Sequence, residues 1–491
     1  MIKYRKILIF LVALSVVIFV PLANAQGEGV PSARTSEGEL GKTEKCEHAD
    51  HDHSDHAEIS NHVAQSDHAD HNGHDHSVHS DDVEVDGNAA HSGHGDHADH
   101  DGHEVHDHSD HPWYVHDCEI FSPDDPNIGG FLFPSFHAFG SFGNSSIDQE
   151  ELASGHHDPQ GPATLQSLEP SIALQKGNLR GLATGSGYTS AEGEFTFVLE
   201  EGFLKLVALP GGTELRGGQF LNRFGFQNAV HNHDWNFVDQ NLVNGRFLNE
   251  GELTTQGGEI AVPIPWAERS RVVASFGGVA VHGGHEHEEE DELLPFEAEG
   301  AEFRDRVFGV SWESELRFDD RRSVAMVASG LWGDNAFARQ TQVYGVGLEY
   351  RVVDADRSLR LRSEIMFREV DAVSGHLPGE SEEEEEPDEQ VGGLYADGDF
   401  ATFDEFGFSS AVLYSWNQRM EVGVRADWVS GINEMGLDDR FRVSPMLTWY
   451  ANPERTVQCR LQYNHDIAND FGSANSIWFQ VGFNWGGGEV H

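Results

Sequence analysis

The chain has 491 residues, with 84 acidic against 31 basic side chains and a formal net charge of −53. That excess of negative charge excludes a nucleic-acid binder working by phosphate neutralisation and favours cations as partners. Apolar residues make up only 38%, and beyond the N-terminus no run reaches the roughly 18 continuous apolar residues of a membrane helix. A helical membrane protein is thereby excluded.

The first element reads as an export signal over residues 1–25. Lys3, Arg5 and Lys6 precede an apolar run from Ile7 to Val20, and Ala23-Asn24-Ala25 offers a small-x-small cleavage site. The mature chain is expected to start near Gln26, and with no Cys after the site lipidation there is not expected. Cys46 and Cys118 flank the next region, where after export they either pair or stay free. Cys459 stands alone in a strand-like segment, and no CxxC spacing occurs.

Residues 26–117 are polar, acidic and poor in large aliphatic side chains, too little apolar surface to fold alone, and are expected to be disordered without metal. Between Lys45 and Lys176 there is no Lys or Arg, so the acids there must be met by protons, metal or solvent. Nineteen of the 30 histidines fall between His48 and His116, a density that a plain spacer has no use for. They recur in three repeats: His48, His51, His53 and His56; His68, His71, His74 and His76; and His94, His97, His100 and His103, continued by His106 and His108. Neutral imidazole suits zinc, copper and nickel, and the interleaved Asp adds oxygen ligands. Many overlapping ligand sets on a flexible chain hold several exchanging ions, with zinc the first expectation, and form no catalytic centre. The alternative is a solvated spacer whose histidines merely titrate.

After a linker over 118–130, residues 131–486 change to short alternating segments with two unlike faces. The last shows it best: Ile477, Phe479, Val481, Phe483 and Trp485 on one face, and Ser476, Trp478, Gln480, Gly482 and Asn484 on the other. Short connections (Gly177-Asn178, Pro210 to Thr213, Trp266 to Glu268, Asp319 to Arg321, Val353 to Asp356, Asn417-Gln418, Ala451 to Glu454) alternate with longer ones near 189–193, 222–252, 282–302, 334–340, 371–402, 432–438 and 467–472. Tight periplasmic turns alternating with long outer loops mark an all-β, antiparallel up-and-down transmembrane barrel. Fifteen segments from about 168 onward, plus one at Phe131 to Phe142 despite Pro134, predict about 16 strands, within 14 to 18. An even count puts both ends, and the His-rich tract, in the periplasm. Residues 487–491 form a short tail.

Within the predicted loops, His231 and His233 of the HNHDW sequence are two apart and face one way in an extended chain, with Asp234 or Asp239 available to complete a metal site. A loop packed by its own aromatics is the competing reading. His282, His285 and His287 run into an acidic stretch from Glu288 to Glu292, and a second acidic run spans Glu382 to Glu386 with Asp388 and Glu389. At a pore mouth such side chains concentrate cations, although solvated loop tips look the same in sequence. No nucleophile motif, phosphate loop or HExxH occurs, so no enzymatic activity is expected.

Two stretches, GQFLNRFGFQNAVHNHDWNFVDQNLVNGRFL (218–248) and RVSPMLTWYANPERTVQCRLQYNHD (442–466), resemble a family of bacterial outer-membrane barrels described as zinc-regulated outer-membrane receptors or porin-like proteins. The resemblance covers roughly residues 125–486 and implies an outer-membrane location and a link to metal supply. A low-complexity tract stands where energised receptors carry a folded plug, and the tail holds a single His, His491. The combined expectation is a porin-like outer-membrane protein in contact with lipid, admitting divalent cations, with the tract buffering them or handing them to a periplasmic carrier. The alternatives are a metal-binding or sensing protein on a non-conducting barrel, and a receptor for a metal chelate.

Overall fold

In the computed structural model the alternation becomes a closed cylinder. The structure describes residues 131–486 apart from 150, 191–192, 250, 268, 281–295, 297, 355, 375–397 and 453–454. The strands are β1 (Phe131–Ser145), β2 (Ala163–Lys176), β3 (Leu179–Thr189), β4 (Phe195–Leu209), β5 (Thr213–Leu221), β6 (Thr254–Pro263), β7 (Ser270–Val279) and β8 (Phe303–Asp319), followed by β9 (Arg322–Asn335), β10 (Gln340–Asp354), β11 (Arg357–Val373), β12 (Phe400–Asn417), β13 (Met420–Val429), β14 (Arg440–Tyr450), β15 (Val457–Ala468) and β16 (Gly472–Gly486). Each pairs antiparallel with its sequence neighbours, and β1 pairs with β16, so no edge is left open. The sixteen strands agree with the sequence count, and both ends of the barrel leave at the end that carries the short turns. Pro134 is tolerated because β1 pairs with β16 only from Ser135 onward, which leaves the proline with a neighbouring strand on one side only.

Side-chain direction follows the period of two. In β16, Ile477, Phe479, Val481, Phe483 and Trp485 lie exposed on the outer wall while Ser476, Trp478 and Gln480 are buried inside. Outward Phe195, Phe197 and Leu199 on β4 and Val422 and Val424 on β13 continue an apolar outer surface around the cylinder. An apolar outside around a polar inside is what lipid requires of a barrel. Phe479 sits at the centre of β16, so Phe479→Arg is expected to destabilise the barrel in lipid vesicles by about 2–4 kcal/mol. Equilibrium urea unfolding in vesicles reads this, and an unchanged midpoint would refute a lipid-facing role for that wall.

The interior is where the sequence reading changes most. The stretch 222–253, expected as an outer loop, folds into the lumen. Its backbone and side chains meet inward residues of β2 (Gln166), β11 (Glu364), β13 (Arg425), β14 (Arg442), β15 (Arg460) and the β12 carboxylate Glu405. Only a segment inside the cylinder can reach so much of its circumference. It carries one short helix, α1 (Leu242–Phe247), whose first turn is capped by the Asn241 side chain accepting the Asn244 N–H at 2.8 Å. Leu242, Val243, Phe247 and Leu248 then bury against Val307, Leu331, Val343, Met366 and Val429 of the wall, each full burial stabilising by about 1.5–3 kcal/mol over exposure. The β1–β2 connection, 146–162, also lies against this segment. Gly245 of α1 is required there, since a Cβ would stand 2.4 Å from the Ser154 backbone oxygen.

Candidate metal centre

One quarter of the inner wall differs chemically from the rest. On β5 to β15 most buried carboxylates are held by guanidinium groups: Glu259 by Arg216 at 2.6 Å, Glu313 by Arg271 at 2.6 Å, Glu349 by Arg362 at 2.6 Å and Asp466 by Arg442 at 2.8 Å, whereas Glu364 accepts from the Phe226 N–H at 2.7 Å. On β2 and β4 the buried carboxylates Glu169, Glu200 and Glu201 face the imidazoles of His231 and His233 instead. A guanidinium neutralises permanently and cannot bind a metal; an imidazole can lose its proton and become a ligand.

Two bulges build this quarter. Successive strand residues point to opposite faces, yet Glu200 and Glu201 are both buried inside. The β3–β4 register jumps there, Thr184 pairing with Glu201 and Gly185 with Leu199, so Glu200 is an extra residue and its side chain turns inward beside its neighbour's. On β2 the β1 register jumps from Phe139–Ser167 to Gly140–Leu165, and Gln166 is the extra residue. Its amide donates to the backbone oxygens of His157 (2.8 Å) and Val238 (2.7 Å), tying both lumenal segments to the wall.

The sequence HNHDW forms a single tight turn, Asn232–Asp234, that presents its two histidines to these acids. His231 lies fully buried between two carboxylates, Nδ1 at 3.1 Å from Glu200 Oε1 and Nε2 at 3.0 Å from Glu201 Oε2. His233 Nδ1 lies 2.5 Å from Glu169 Oε2, and its ring stacks on His137 of β1 at 3.8 Å and 9°. The ligand atoms of Glu169, Glu200 and His231 all fall within 4.8 Å of one another. Glu201 is further satisfied by the Leu221 N–H at 2.8 Å and Arg216 at 3.9 Å. Glu200 differs: its two oxygens accept no hydrogen bond among the described residues although the side chain is fully buried.

A second group lies beside the first. His156 Nε2 and His157 Nε2 each stand 3.6 Å from the same oxygen of Glu252, at the C-terminal end of the lumenal segment. The surroundings are strongly negative. Burial works against a charge on His157, but Glu252, then Glu200 and Glu169, outweigh it and push its pKa up to about 9.

Of the residues expected from sequence, His231 and His233 come together here. Asp239 does not join them. Its carboxylate accepts from Arg425 at 2.7 Å and Arg442 at 3.0 Å, with Gln462 and Asn464 completing the shell, so its lone pairs serve to dock the lumenal segment. The tract histidines (His48 to His108), together with His282, His285 and His287, the acidic run 382–386, Cys46 and Cys118, lie outside the described residues; Cys459 is a free thiol on β15. Sequence reading missed Glu169, Glu200, Glu201, His156, His157 and Glu252. The adjacent Glu200-Glu201 and His156-His157 pairs were the available signals, since a strand with two successive acids either exposes one to lipid or bulges.

No protein-family model and no curated protein matches the chain. Among solved structures it is similar to an anion-selective porin from Comamonas acidovorans (8% identity, 73% of this chain and 99% of that one, TM-score 0.44). It is likewise similar to OmpT, an outer membrane protein of Vibrio cholerae (9%, 72% and 97%, TM-score 0.43), and to OccK8 (OprE) of Pseudomonas aeruginosa (10%, 73% and 98%, TM-score 0.39). No residue role transfers at such identities, and the chemistry is read from this chain alone.

Proposed function

We propose that this protein is a porin-like barrel of the outer membrane that admits divalent metal ions, zinc first among them, past the lumenal imidazole and carboxylate centre. The observation that carries the reading is the Glu169, Glu200 and His231 triad, whose ligand atoms lie within 4.8 Å of one another and whose Glu200 carboxylate is buried with the His231 ring at 3.1 Å as its close partner. Nitrogen plus carboxylate donors favour zinc and its late first-row neighbours over magnesium and calcium, which take all-oxygen sets. With both barrel ends in the periplasm, the tract over 26–117 buffers the arriving ions there or passes them to a carrier.

The test is flux. Purified full-length protein in liposomes holding a zinc-sensitive dye is expected to admit zinc several times faster than magnesium, and His231→Ala is expected to abolish that preference. Equal rates for the two ions in the wild-type protein would overturn the proposal.

A second reading, a metal-binding or sensing protein on a non-conducting barrel, is favoured by the segment 222–253 lying inside the lumen. One cavity beside the lumenal segment, lined by Trp235, Asp239, Glu364 and Arg425 among others, measures about 50 Å³, room for about three waters. Planar-bilayer recording separates the readings: steady cation-preferring conductance supports the channel, and its absence with zinc binding retained supports the anchor.

A further inference from the structure

We infer that His156, His157 and Glu252 form a second divalent-metal site, structural in character, that fastens the 146–162 connection to the end of the lumenal segment. The inference rests on the reading of this quarter of the lumen as a metal centre, and it concerns ligands other than His231 and His233 of the HNHDW turn.

Geometry is the first support. In a tetrahedral zinc site with bonds of 2.0–2.1 Å, neighbouring ligand atoms lie about 3.4 Å apart. The two His–Glu252 separations are 3.6 Å each, and all three ligand atoms lie within 4.8 Å. The two contacts to Glu252 therefore need to close by only a few tenths of an ångström around an ion, with a water in the fourth position.

The tautomer of His157 is the second support. Its Nδ1 is 2.8 Å from the Gln166 carbonyl oxygen, an acceptor only, so Nδ1 carries a hydrogen and an ion would displace only the proton of Nε2, the nitrogen that faces Glu252. That nitrogen is buried and makes no hydrogen bond. A histidine held by a backbone carbonyl on one nitrogen with the other aimed at a carboxylate is how metal-bound imidazoles are oriented. Gln166 is the bulged residue of β2, so the wall itself sets the ring's direction.

The third support is mechanical. His156 and His157 belong to one connection, and Glu252 lies between Gly251, which holds a positive φ of 99°, and the start of β6. Asp158 already links the two segments by accepting from Gln240 N at 2.9 Å, while Ser154 N at 2.8 Å holds it within its own connection. A metal ion at the neighbouring residues would add the strongest tie between them, at the point where the lumenal segment rejoins the wall. Occupancy would then set how readily the segment loosens.

Hydrogen exchange of the full chain in liposomes, read by mass spectrometry on separate peptides, tests this without interference from the tract. At a zinc concentration 100 times the dissociation constant, linkage slows exchange through local opening about 100-fold. That slowing is expected in peptides covering 152–158 and 246–254, with zinc and not with magnesium. His157→Asn keeps a donor near the Nδ1 position and removes the distal nitrogen, so the fold is retained and the zinc effect on both peptides is lost, while peptides over 228–236 still respond. Zinc slowing of equal size in His157→Asn, or no slowing in the wild-type protein, overturns the inference. Zinc flux without protection of these peptides would sink the structural site and leave the transport reading, and protection without flux would do the reverse.

Discussion

Replacing Asp239 with alanine is expected to destabilise the barrel by about 3–5 kcal/mol and to raise its conductance. This carboxylate accepts from Arg425, Arg442, Gln462 and Asn464, on β13, β14 and β15, from the middle of the lumenal segment. Removing it leaves two buried guanidinium groups short of a partner. Arg442 keeps Asp466 at 2.8 Å and Arg425 keeps Asp427 at 2.7 Å, which favours the lower end of the range. The segment would lose its central attachment, so single-channel recordings should show larger or more frequent open events, and unchanged conductance would mean that the remaining contacts suffice. Burial alone would push Asp239 upward, but Arg425 and Arg442 outweigh it and hold its carboxyl below the usual aspartate range. The folded pKa is thus depressed, and the stabilisation is present above the unfolded value of about 3.9 and lost as pH falls through the folded one. The stability difference between wild type and Asp239→Asn should stay constant from pH 8 to about pH 5 and shrink only in stronger acid.

The outer architecture was legible because lipid and lumen demand opposite side chains, and a period of two carries that demand into the sequence. Ile477 to Trp485 on β16 could be assigned to faces by alternation alone, and Gly177-Asn178 and Asn417-Gln418 announced tight turns by their chemistry. The interior was less legible for three physical reasons. A bulge breaks the period of two without changing composition, so nothing local to Glu200-Glu201 distinguishes a bulge from a strand that turns one acid to lipid. A long polar segment reads the same whether it lies in water or folds into a polar lumen, and only the apolar residues of 242–253 hinted at burial. The ligands also come from β2, β4 and two connections, with His156 and Glu252 nearly a hundred residues apart, and no local spacing encodes that meeting. His231 and His233 were found because they sit in one tight turn. Asp239, five residues further on, was drawn to the arginine side of the lumen by charge.

The substitution that most sharply separates a metal centre from a merely polar one is Glu200→Gln, because two expected effects have opposite sign. Without metal, Glu200 is a buried charge whose closest cationic group is an imidazole already shared with Glu201. Neutralising it in nearly the same shape removes a desolvated charge and leaves His231 its bond to Glu201, so the metal-free protein should gain about 0.5–2 kcal/mol. With zinc the order inverts. An ion bound only by the folded barrel stabilises it by about 2.7 kcal/mol at 100 times the dissociation constant, and loss of one ligand of the triad should remove most of that gain. Any zinc bound by residues 26–117 enters both proteins alike and cancels in the comparison between them. Urea midpoints in liposomes, with and without zinc and for both proteins, give the four values required. If Glu200→Gln is less stable than wild type in the absence of metal, the carboxylate is a structural partner of His231. If it is more stable yet keeps the full zinc increment, the ion is held elsewhere in the lumen.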